Sequence, residues 1–315
     1  MIIRTDSLEI FKQNEYTLMD IGYVSNNAYL SIVATNNCQR NCPYCINSET
    51  DRRLNLPLDK AITNIKKLVS KYHVKEAIIL GGEPLLYPKI AELISSLKTV
   101  CGLKVVRLTT NGIQLVKSDG TPDQDFISAL CHAGLDGINI SFHNEDFITW
   151  EQLALVYGSF HARGIKVRVN TNIWRGNNDK QYFAFIWRLQ DYCDEIRISN
   201  IIPKDNFSVN PTNNDYGQNM ILSNKEYENI FNDILHWYDL YTNVVIFENE
   251  KTLGFVRYLL IATKKPIIIN WNIGSTVSDQ VCENSLGERQ INTFKCLVNG
   301  EISLSWNTNN ILKLN

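Results

Sequence analysis

The sequence predicts an α/β fold, namely a partial (β/α)6 TIM barrel followed by a C-terminal extension that covers its open side. Short apolar runs alternate six times with segments of helical periodicity, which is typical of βαβ units and a parallel sheet. Polar segments follow the predicted strands, at the ends where such sheets bind ligands. The barrel is expected to stay open, because eight units are needed to close it.

The first 200 residues supply the six units. Apolar residues at helical spacing indicate helices, and short apolar runs that end in polar residues indicate strands. Strands are predicted at residues 28–35, 77–80, 105–108, 137–140, 165–169 and 195–198, and helices at residues 58–72, 90–97, 126–133, 150–163 and 179–192.

The pattern changes beyond residue 200, where a loop rich in Asn, Pro and Asp begins. The sequence then predicts helices at residues 226–241 and 253–262, strands at 244–247 and 266–271, and a hairpin at 293–306. We therefore expect an N-terminal lead-in at residues 1–27, a barrel core at 28–200 and a C-terminal substrate-covering region at 201–315.

Composition is that of an ordinary globular protein. The chain has 315 residues, 44% of them hydrophobic, and a net charge of −2, which does not suggest a nucleic-acid or membrane partner. Residues 1–14 are charged throughout, so no signal peptide is expected, and no apolar run is long enough to span a membrane. The eight cysteines do not form a secreted disulfide pattern, so a cytoplasmic location is expected.

Three cysteines, Cys38, Cys42 and Cys45, form a CxxxCxxC motif directly after the first predicted strand. Thiolates are the usual ligands of iron–sulfur clusters, and a four-iron cluster normally takes four of them, so three would leave one iron open. The alternatives are a zinc site and buried thiols. A zinc site would need a fourth ligand nearby, and the nearest histidine, His73, lies beyond a predicted helix.

At these residues the sequence resembles the radical SAM superfamily, and Tyr44, the aromatic residue before the third cysteine, also fits the pattern. The resemblance implies that the three cysteines hold a [4Fe–4S] cluster whose fourth iron is chelated by S-adenosylmethionine. It also implies reductive cleavage of S-adenosylmethionine to methionine and a 5′-deoxyadenosyl radical, which abstracts a hydrogen atom from the substrate. An external electron donor such as flavodoxin or ferredoxin is implied as a partner.

A second motif, Gly81-Gly82-Glu83-Pro84, follows the second predicted strand. Glycines let a backbone approach a ligand closely, a carboxylate can accept from an ammonium group, and proline stiffens the turn. In the superfamily the matching motif binds the amino group of the methionine moiety. The alternative is an ordinary turn.

Further cofactor-binding candidates lie at later strand ends. In similar enzymes a serine at the position of Ser141 touches the ribose or carboxylate of S-adenosylmethionine. The alternative for Ser141 is a turn-capping role. Asn111 is a further candidate for a contact with the cofactor. Residues 167–179 resemble the fifth-strand region of the GTP cyclase branch, where a basic residue, here Arg168, pairs with the cofactor carboxylate. Asn170 lies on the same face of the strand as Arg168 and is a candidate as well. The alternative is that Arg168 lies on the outer face of the sheet. His143 is either a general acid–base or a polar strand-end residue.

The last third of the chain bears on the substrate. Superfamily members with auxiliary clusters carry dense cysteine motifs there, whereas this chain has Cys282 and Cys296 after residue 200 and Cys193 just before it. We therefore expect a single cluster, which argues against GTP cyclisation itself. Cys296 is a candidate catalytic residue, as a hydrogen-atom donor to a substrate radical, and the alternative is a buried structural cysteine.

The expected function is hydrogen abstraction from a small-molecule or nucleotide substrate, leading to epimerisation, rearrangement or elimination. One alternative is modification of a peptide, and another is a non-enzymatic iron–sulfur redox sensor. C-terminal aromatic residues belong either to the substrate site or to the core: Trp237, Tyr238, Tyr241, Trp271 and Trp306.

Overall fold

The structure is a computed structural model. It describes residues 29–42, 44–45, 50–143, 147–175, 182–201, 222–241, 244–250, 255–260, 267–272, 281–283, 289–291, 293–303, 311–312 and 314. The predicted lead-in, residues 1–27, lies outside the described residues. So do Trp306 and the side chains of Trp237, Tyr238, Tyr241, Trp271 and Cys282.

Strands and helices alternate through the first part of the chain. In order these are β1 (Tyr29–Val33), α1 (Leu58–Tyr72), β2 (Glu76–Leu80), α2 (Ile90–Thr99), β3 (Val105–Thr110), α3 (Gln124–His132), β4 (Gly137–Ser141), α4 (Trp150–His161), β5 (Lys166–Ile173), α5 (Tyr182–Leu189) and β6 (Glu195–Asn200). Strands β1 to β6 pair in parallel with their neighbours in sequence order. The predicted α/β fold, with six units of a partial barrel, is confirmed.

The C-terminal region extends this sheet at both edges. It contains α6 (Asn224–Tyr241), β7 (Val244–Glu250), β8 (Phe255–Leu260), β9 (Ile267–Asn272), β10 (Val281–Glu283), β11 (Arg289–Ile291), β12 (Thr293–Cys296) and β13 (Ile302–Ser303). The strand order is β13-β12-β1-β2-β3-β4-β5-β6-β9-β8-β7, so the sheet does not close on itself. Strand β9 pairs in parallel with β6, and β12 pairs in parallel with β1.

The predicted helix at residues 253–262 is wrong, because Phe255–Leu260 is strand β8. This strand pairs antiparallel with both β7 and β9. Aromatic and β-branched residues such as Phe255, Val256 and Tyr258 favour strands, and a short apolar run does not distinguish the two periods. The predicted hairpin at Asn299-Gly300 is present as the antiparallel pair β12–β13.

The two sides of the sheet differ in chemistry. The side that faces the helices is apolar: Leu30 and Ile32 of β1 are fully buried in one core with Ile65 of α1. The opposite side, here called the interior side, carries buried polar residues in neighbouring strands, namely Ser31, Arg107, Asn139, Arg168 and Lys295. Side chains that reach a ligand within the barrel must therefore lie on the interior side.

Among the described helices, none combines the length and the apolar composition that crossing a lipid bilayer requires.

Candidate active site

The candidate site begins with the segment between β1 and α1, residues 36–54, here called the cysteine loop. Its two ends are joined by backbone hydrogen bonds. The Asn36 N–H donates to the Leu54 carbonyl over 2.9 Å, and the Leu56 N–H donates to the Ala34 carbonyl over 2.9 Å. The loop therefore leaves and re-enters the fold at the carboxyl end of β1.

The glycine pair of the second motif packs directly on the start of this loop and on Thr35, the residue before it. The Gly82 N–H donates to the Thr35 carbonyl over 2.7 Å, and the Glu83 N–H donates to the Asn37 carbonyl over 2.7 Å. A Cβ on Gly81 would lie 2.3 Å from the Thr35 oxygen, and one on Gly82 would lie 2.4 Å from the Asn37 oxygen. Glycine is required here because the two backbones are in contact. The sequence predicted close approach to a ligand instead.

Glu83 connects the ends of β2 and β3. Its side chain is 1% exposed. One carboxylate oxygen accepts from the Thr110 hydroxyl at 2.7 Å and the Leu85 N–H at 3.0 Å, and the other accepts from the Asn111 N–H at 2.8 Å. Burial raises the pKa of Glu83, while these donors act in the opposite direction. The side chain is thus held by the protein itself, and its contact with an ammonium group stays a prediction. Pro84 begins the short turn after it.

The three cysteines of the motif are all on the cysteine loop. Cys38, Cys42 and Cys45 are half-buried and not in disulfides. Burial raises the pKa of Cys38 and Cys42, and the charge of a neighbouring thiolate raises it further. Within the described ranges, no three His, Cys, Asp or Glu side chains are grouped so as to share one metal ion. Three thiols on one loop suit a [4Fe–4S] cluster, in which each thiolate would bind a different iron.

Tyr44 connects the cysteine loop to the ends of β4 and β5. Its ring centroid lies 5.5 Å from that of His143 and 5.6 Å from that of Trp174. The Asn172 N–H donates to Nδ1 of His143 over 3.0 Å, which assigns the proton of the neutral ring to Nε2. Burial lowers the pKa of His143 to about 4. The ring is therefore a neutral part of the structure near pH 7, which disfavours a role as a titrating acid–base.

The β5 candidates lie on the interior side. Ser141 is opposite Asn170 in the sheet, and Arg168 is opposite Glu195. Arg168 is buried, with one guanidinium nitrogen 3.6 Å from the Glu195 carboxylate. The alternative that Arg168 points outward is thereby excluded. The buried Asn170 Oδ1 has no hydrogen-bond partner among the residues that the structure describes, and its contact with the cofactor stays a prediction.

Two polar contacts at the cysteine loop were not predicted. Gln39 donates to Oδ1 of Asn111 over 3.3 Å and to Gln114 over 3.1 Å, and Arg52 donates to the loop backbone. Gln39 is at a variable position of the cysteine motif and Arg52 lies outside it, so the sequence carried no signal for either contact. Thr110, which binds Glu83, had a signal, because it precedes the predicted Asn111 at the end of β3.

Cys296 lies on the side of the sheet that faces the helices. It is opposite Ile32 in the β1–β12 pair and is fully buried. The ring of Phe294, two residues earlier, packs 5.1 Å from that of Tyr72 on α1. Burial raises the pKa of the Cys296 thiol to about 12. This location contradicts a hydrogen-donor role and supports a structural cysteine, because strand alternation turns Lys295 toward the interior instead.

Residues 32–182 match the sequence model of the Radical SAM superfamily. This range includes the cysteine loop, the glycine motif and the ends of β3, β4 and β5. Residues 32–182 therefore form a radical SAM domain. Radical SAM proteins are enzymes whose cofactors are a [4Fe–4S] cluster and S-adenosylmethionine, and the thiol donors described above fit that cluster. This assignment argues against the alternative of a non-enzymatic redox sensor.

Named relatives match this chain over little more than half of its length. A GTP 3',8-cyclase of Chlorobaculum tepidum is 29% identical over 192 residues, which is 58% of this chain and 56% of that protein. A GTP 3',8-cyclase of Staphylococcus haemolyticus is 32% identical over 192 residues, covering 53% and 52%. Human Molybdenum cofactor biosynthesis protein 1 is 28% identical, over 56% of this chain and 29% of that protein. The chain thus spans about half the length of the two cyclases.

Solved structures share the radical SAM fold over a longer range. Streptococcus suis SuiB bound to its precursor peptide SuiA superposes with a TM-score of 0.58 at 14% identity, over 93% of this chain and 63% of that one. SuiB bound to S-adenosylmethionine gives a TM-score of 0.52 at 16% identity, over 68% and 48%. At such low identity the likeness establishes the fold alone.

Proposed function

We propose that Cys38, Cys42 and Cys45 bind a [4Fe–4S] cluster, and that the enzyme abstracts a hydrogen atom from a small-molecule or nucleotide substrate. When bound, the reduced cluster would supply the electron that cleaves S-adenosylmethionine to methionine and a 5′-deoxyadenosyl radical. The observation that carries this proposal is the pair of 2.7 Å backbone hydrogen bonds that attach Gly82 to Thr35, at the base of the cysteine loop, and Glu83 to Asn37 within the loop. This attachment brings the proposed cluster ligands next to the proposed binding motif of the methionine moiety.

The protein's own side chains bind and orient in this proposal. Residues 81–84 and Asn111 form the wall beside the cysteine loop, held in shape by the buried Glu83 carboxylate. Tyr44 faces the ends of β4 and β5. On the interior side, Ser141 and Asn170 offer polar contacts to the cofactor. We propose Asn170 as the principal contact on β5, since the Arg168 guanidinium is already ion-paired to Glu195.

A nucleotide is a reasonable substrate class because the cyclase relatives are named for a reaction of GTP. GTP cyclisation itself is not proposed. The sequence has two cysteines beyond residue 200, and one of them, Cys296, is buried on the helix-facing side. We therefore propose a single cluster, reduced by a flavodoxin or ferredoxin in the cytoplasm, and a reaction that ends in epimerisation, rearrangement or elimination.

Anaerobic reconstitution followed by isotope transfer tests this function. We expect about four irons per chain with the broad absorbance of a four-iron cluster. Deuterated nucleotides, small metabolites and peptides are then incubated separately with the reduced enzyme and S-adenosylmethionine, and deuterium in 5′-deoxyadenosine is measured by mass spectrometry. Transfer from a nucleotide supports the proposal. Bound zinc without iron contradicts the cluster, and transfer from a peptide alone contradicts the substrate class.

A further inference from the structure

Arg52 lies near the end of the cysteine loop, and its side chain reaches back to the loop's beginning. One terminal nitrogen of its guanidinium donates to the Cys38 carbonyl over 3.1 Å, and the other donates to Oδ1 of Asn41 over 3.1 Å. The side chain is half-buried. A single planar group thus bridges a proposed cluster ligand and the segment between the first two cysteines.

These contacts close the loop above its backbone stem. The stem is made by residues 34–36 and 54–56, where the Thr35 hydroxyl also donates to the Leu54 carbonyl over 3.1 Å. Arg52 stands two residues before Leu54, so it extends the closure toward the cysteines. The fork geometry of a guanidinium allows two fixed hydrogen bonds at once, which an ammonium group on a flexible stem does not reproduce.

We infer that Arg52 is a positioning residue that holds the cysteine loop in the shape that binds the cluster. The inference rests on the proposal that Cys38, Cys42 and Cys45 are the cluster ligands. A loop that is already closed loses less conformational entropy when it binds its ligand. The positive charge of Arg52 would also favour a reduced cluster when one is bound, because nearby charge helps to set cluster potentials.

Arg53 provides a matched control. It has the same side chain one residue later, but its guanidinium is 90% exposed and its ion pair is with Asp51, only two residues away, at 2.9 Å. An exposed pair of this kind contributes little to stability. Replacing Arg53 removes the same formal charge from the same segment without removing a contact to Cys38 or Asn41.

The test uses the full chain, reconstituted without oxygen as wild type, Arg52→Gln, Arg52→Lys and Arg53→Gln. Excess EDTA is added, and loss of cluster absorbance is followed over time. We expect Arg52→Gln to lose its cluster about tenfold faster than wild type, as removal of two hydrogen bonds from a charged donor suggests. Arg53→Gln should match wild type, and Arg52→Lys should lose the cluster at an intermediate rate.

The reduction potential of the cluster distinguishes the effect of the Arg52 charge from the effect of its hydrogen bonds on loop geometry. Arg52→Gln should shift it to a more negative value, whereas Arg52→Lys should retain the wild-type potential despite its faster cluster loss. An Arg52→Gln protein that behaves like Arg53→Gln in both measurements overturns the inference. If Arg52→Gln does not fold, wild-type retention of the cluster by Arg52→Lys overturns it instead. A wild-type protein that takes up no cluster would contradict the proposed function rather than the role of Arg52.

Discussion

The Glu83 side chain links the turn after β2 to the end of β3 through hydrogen bonds. Its two oxygens accept from Thr110, Leu85 and Asn111, and it is almost fully buried. A buried carboxylate is stable only when hydrogen-bond donors surround it. The Glu83 carboxylate therefore positions both the end of β3 and the turn after β2. The cysteine loop packs on that turn.

Replacing Glu83 with Gln should lower the free energy of unfolding by about 2 kcal/mol, because the new amide NH2 faces donors and leaves one of them unsatisfied. Urea denaturation of the two proteins at pH 7 measures the difference. Glu92→Gln is the control, since that carboxylate is exposed on α2 and should change stability by less than about 0.5 kcal/mol. Equal effects of the two substitutions would contradict the role given to Glu83.

The lowered pKa of His143 predicts that the free energy of unfolding depends on pH. Its pKa in the folded protein is about 4, below the ordinary value of 6.5, so the unfolded chain takes up the proton more readily. The resulting stability is present above about pH 6.5 and is lost as the pH falls toward 4. Between pH 7 and pH 5 we expect a loss of about 2 kcal/mol from this residue.

The measurement is urea unfolding at pH 7 and pH 5 for wild type and His143→Asn. The variant removes the titrating ring, so it should lose about 2 kcal/mol less than wild type over this interval. His132→Asn, at an exposed position on α3, should behave like wild type. An identical loss in wild type and His143→Asn would show that the buried ring does not control this dependence.

At the scale of secondary structure elements, the turn after β2 and the cysteine loop form a single packed unit. Gly82→Ala would place a Cβ 2.4 Å from a backbone oxygen, so one of the two segments must move. We expect a loss of about 3 kcal/mol in unfolding free energy, together with reduced iron uptake on reconstitution. Urea titration and iron analysis measure the two effects.

Gly158 of α4 is the matched control for that substitution. A Cβ there would meet no atom within 4 Å, and alanine favours a helix more than glycine does. Gly158→Ala should therefore raise the free energy of unfolding by about 0.5–1 kcal/mol. If Gly82→Ala were tolerated as well as Gly158→Ala, the close packing of the turn on the loop would be contradicted.

The core elements were predictable from sequence because each has a clear period and a polar end. Strand β8 was not, since the short run Phe255–Leu260 shows its strand character only through its pairing with β7 and β9. The side of the sheet on which Cys296 lies could not be predicted, because a shift of one residue in register moves a side chain to the other side. The packing of Phe294 against Tyr72 sets the register of β12, and that contact joins distant parts of the chain.

The candidate site was predictable to a similar extent. The two sequence motifs identify the cysteines and the glycine turn, because binding a cluster and a cofactor restricts which residue types can occupy these positions. The supporting contacts could not be predicted. Gln39 meets Asn111 across 72 positions of sequence, and Arg52 meets Cys38 across 14. Only the path of the folded chain brings these pairs together, and no local pattern records it.

At the scale of the whole molecule, one open sheet contains the strands of the radical SAM domain together with the C-terminal strands β7, β8, β9, β12 and β13. Strand β12 pairs with β1, from which the cysteine loop emerges, and β9 pairs with β6. The C-terminal region therefore reaches the core at both edges of the barrel. From these positions it can contribute to substrate binding, as the division of the chain at residue 200 predicts.

The central claim is that the cysteine loop binds a cluster that cleaves S-adenosylmethionine. The most direct measurement is 5′-deoxyadenosine formed by anaerobically reconstituted protein with dithionite and S-adenosylmethionine. Wild type and Cys131→Ala, which changes a half-buried cysteine outside the motif on α3, should form it, and Cys42→Ala should form none. Formation of 5′-deoxyadenosine by Cys42→Ala at the wild-type rate would contradict the account.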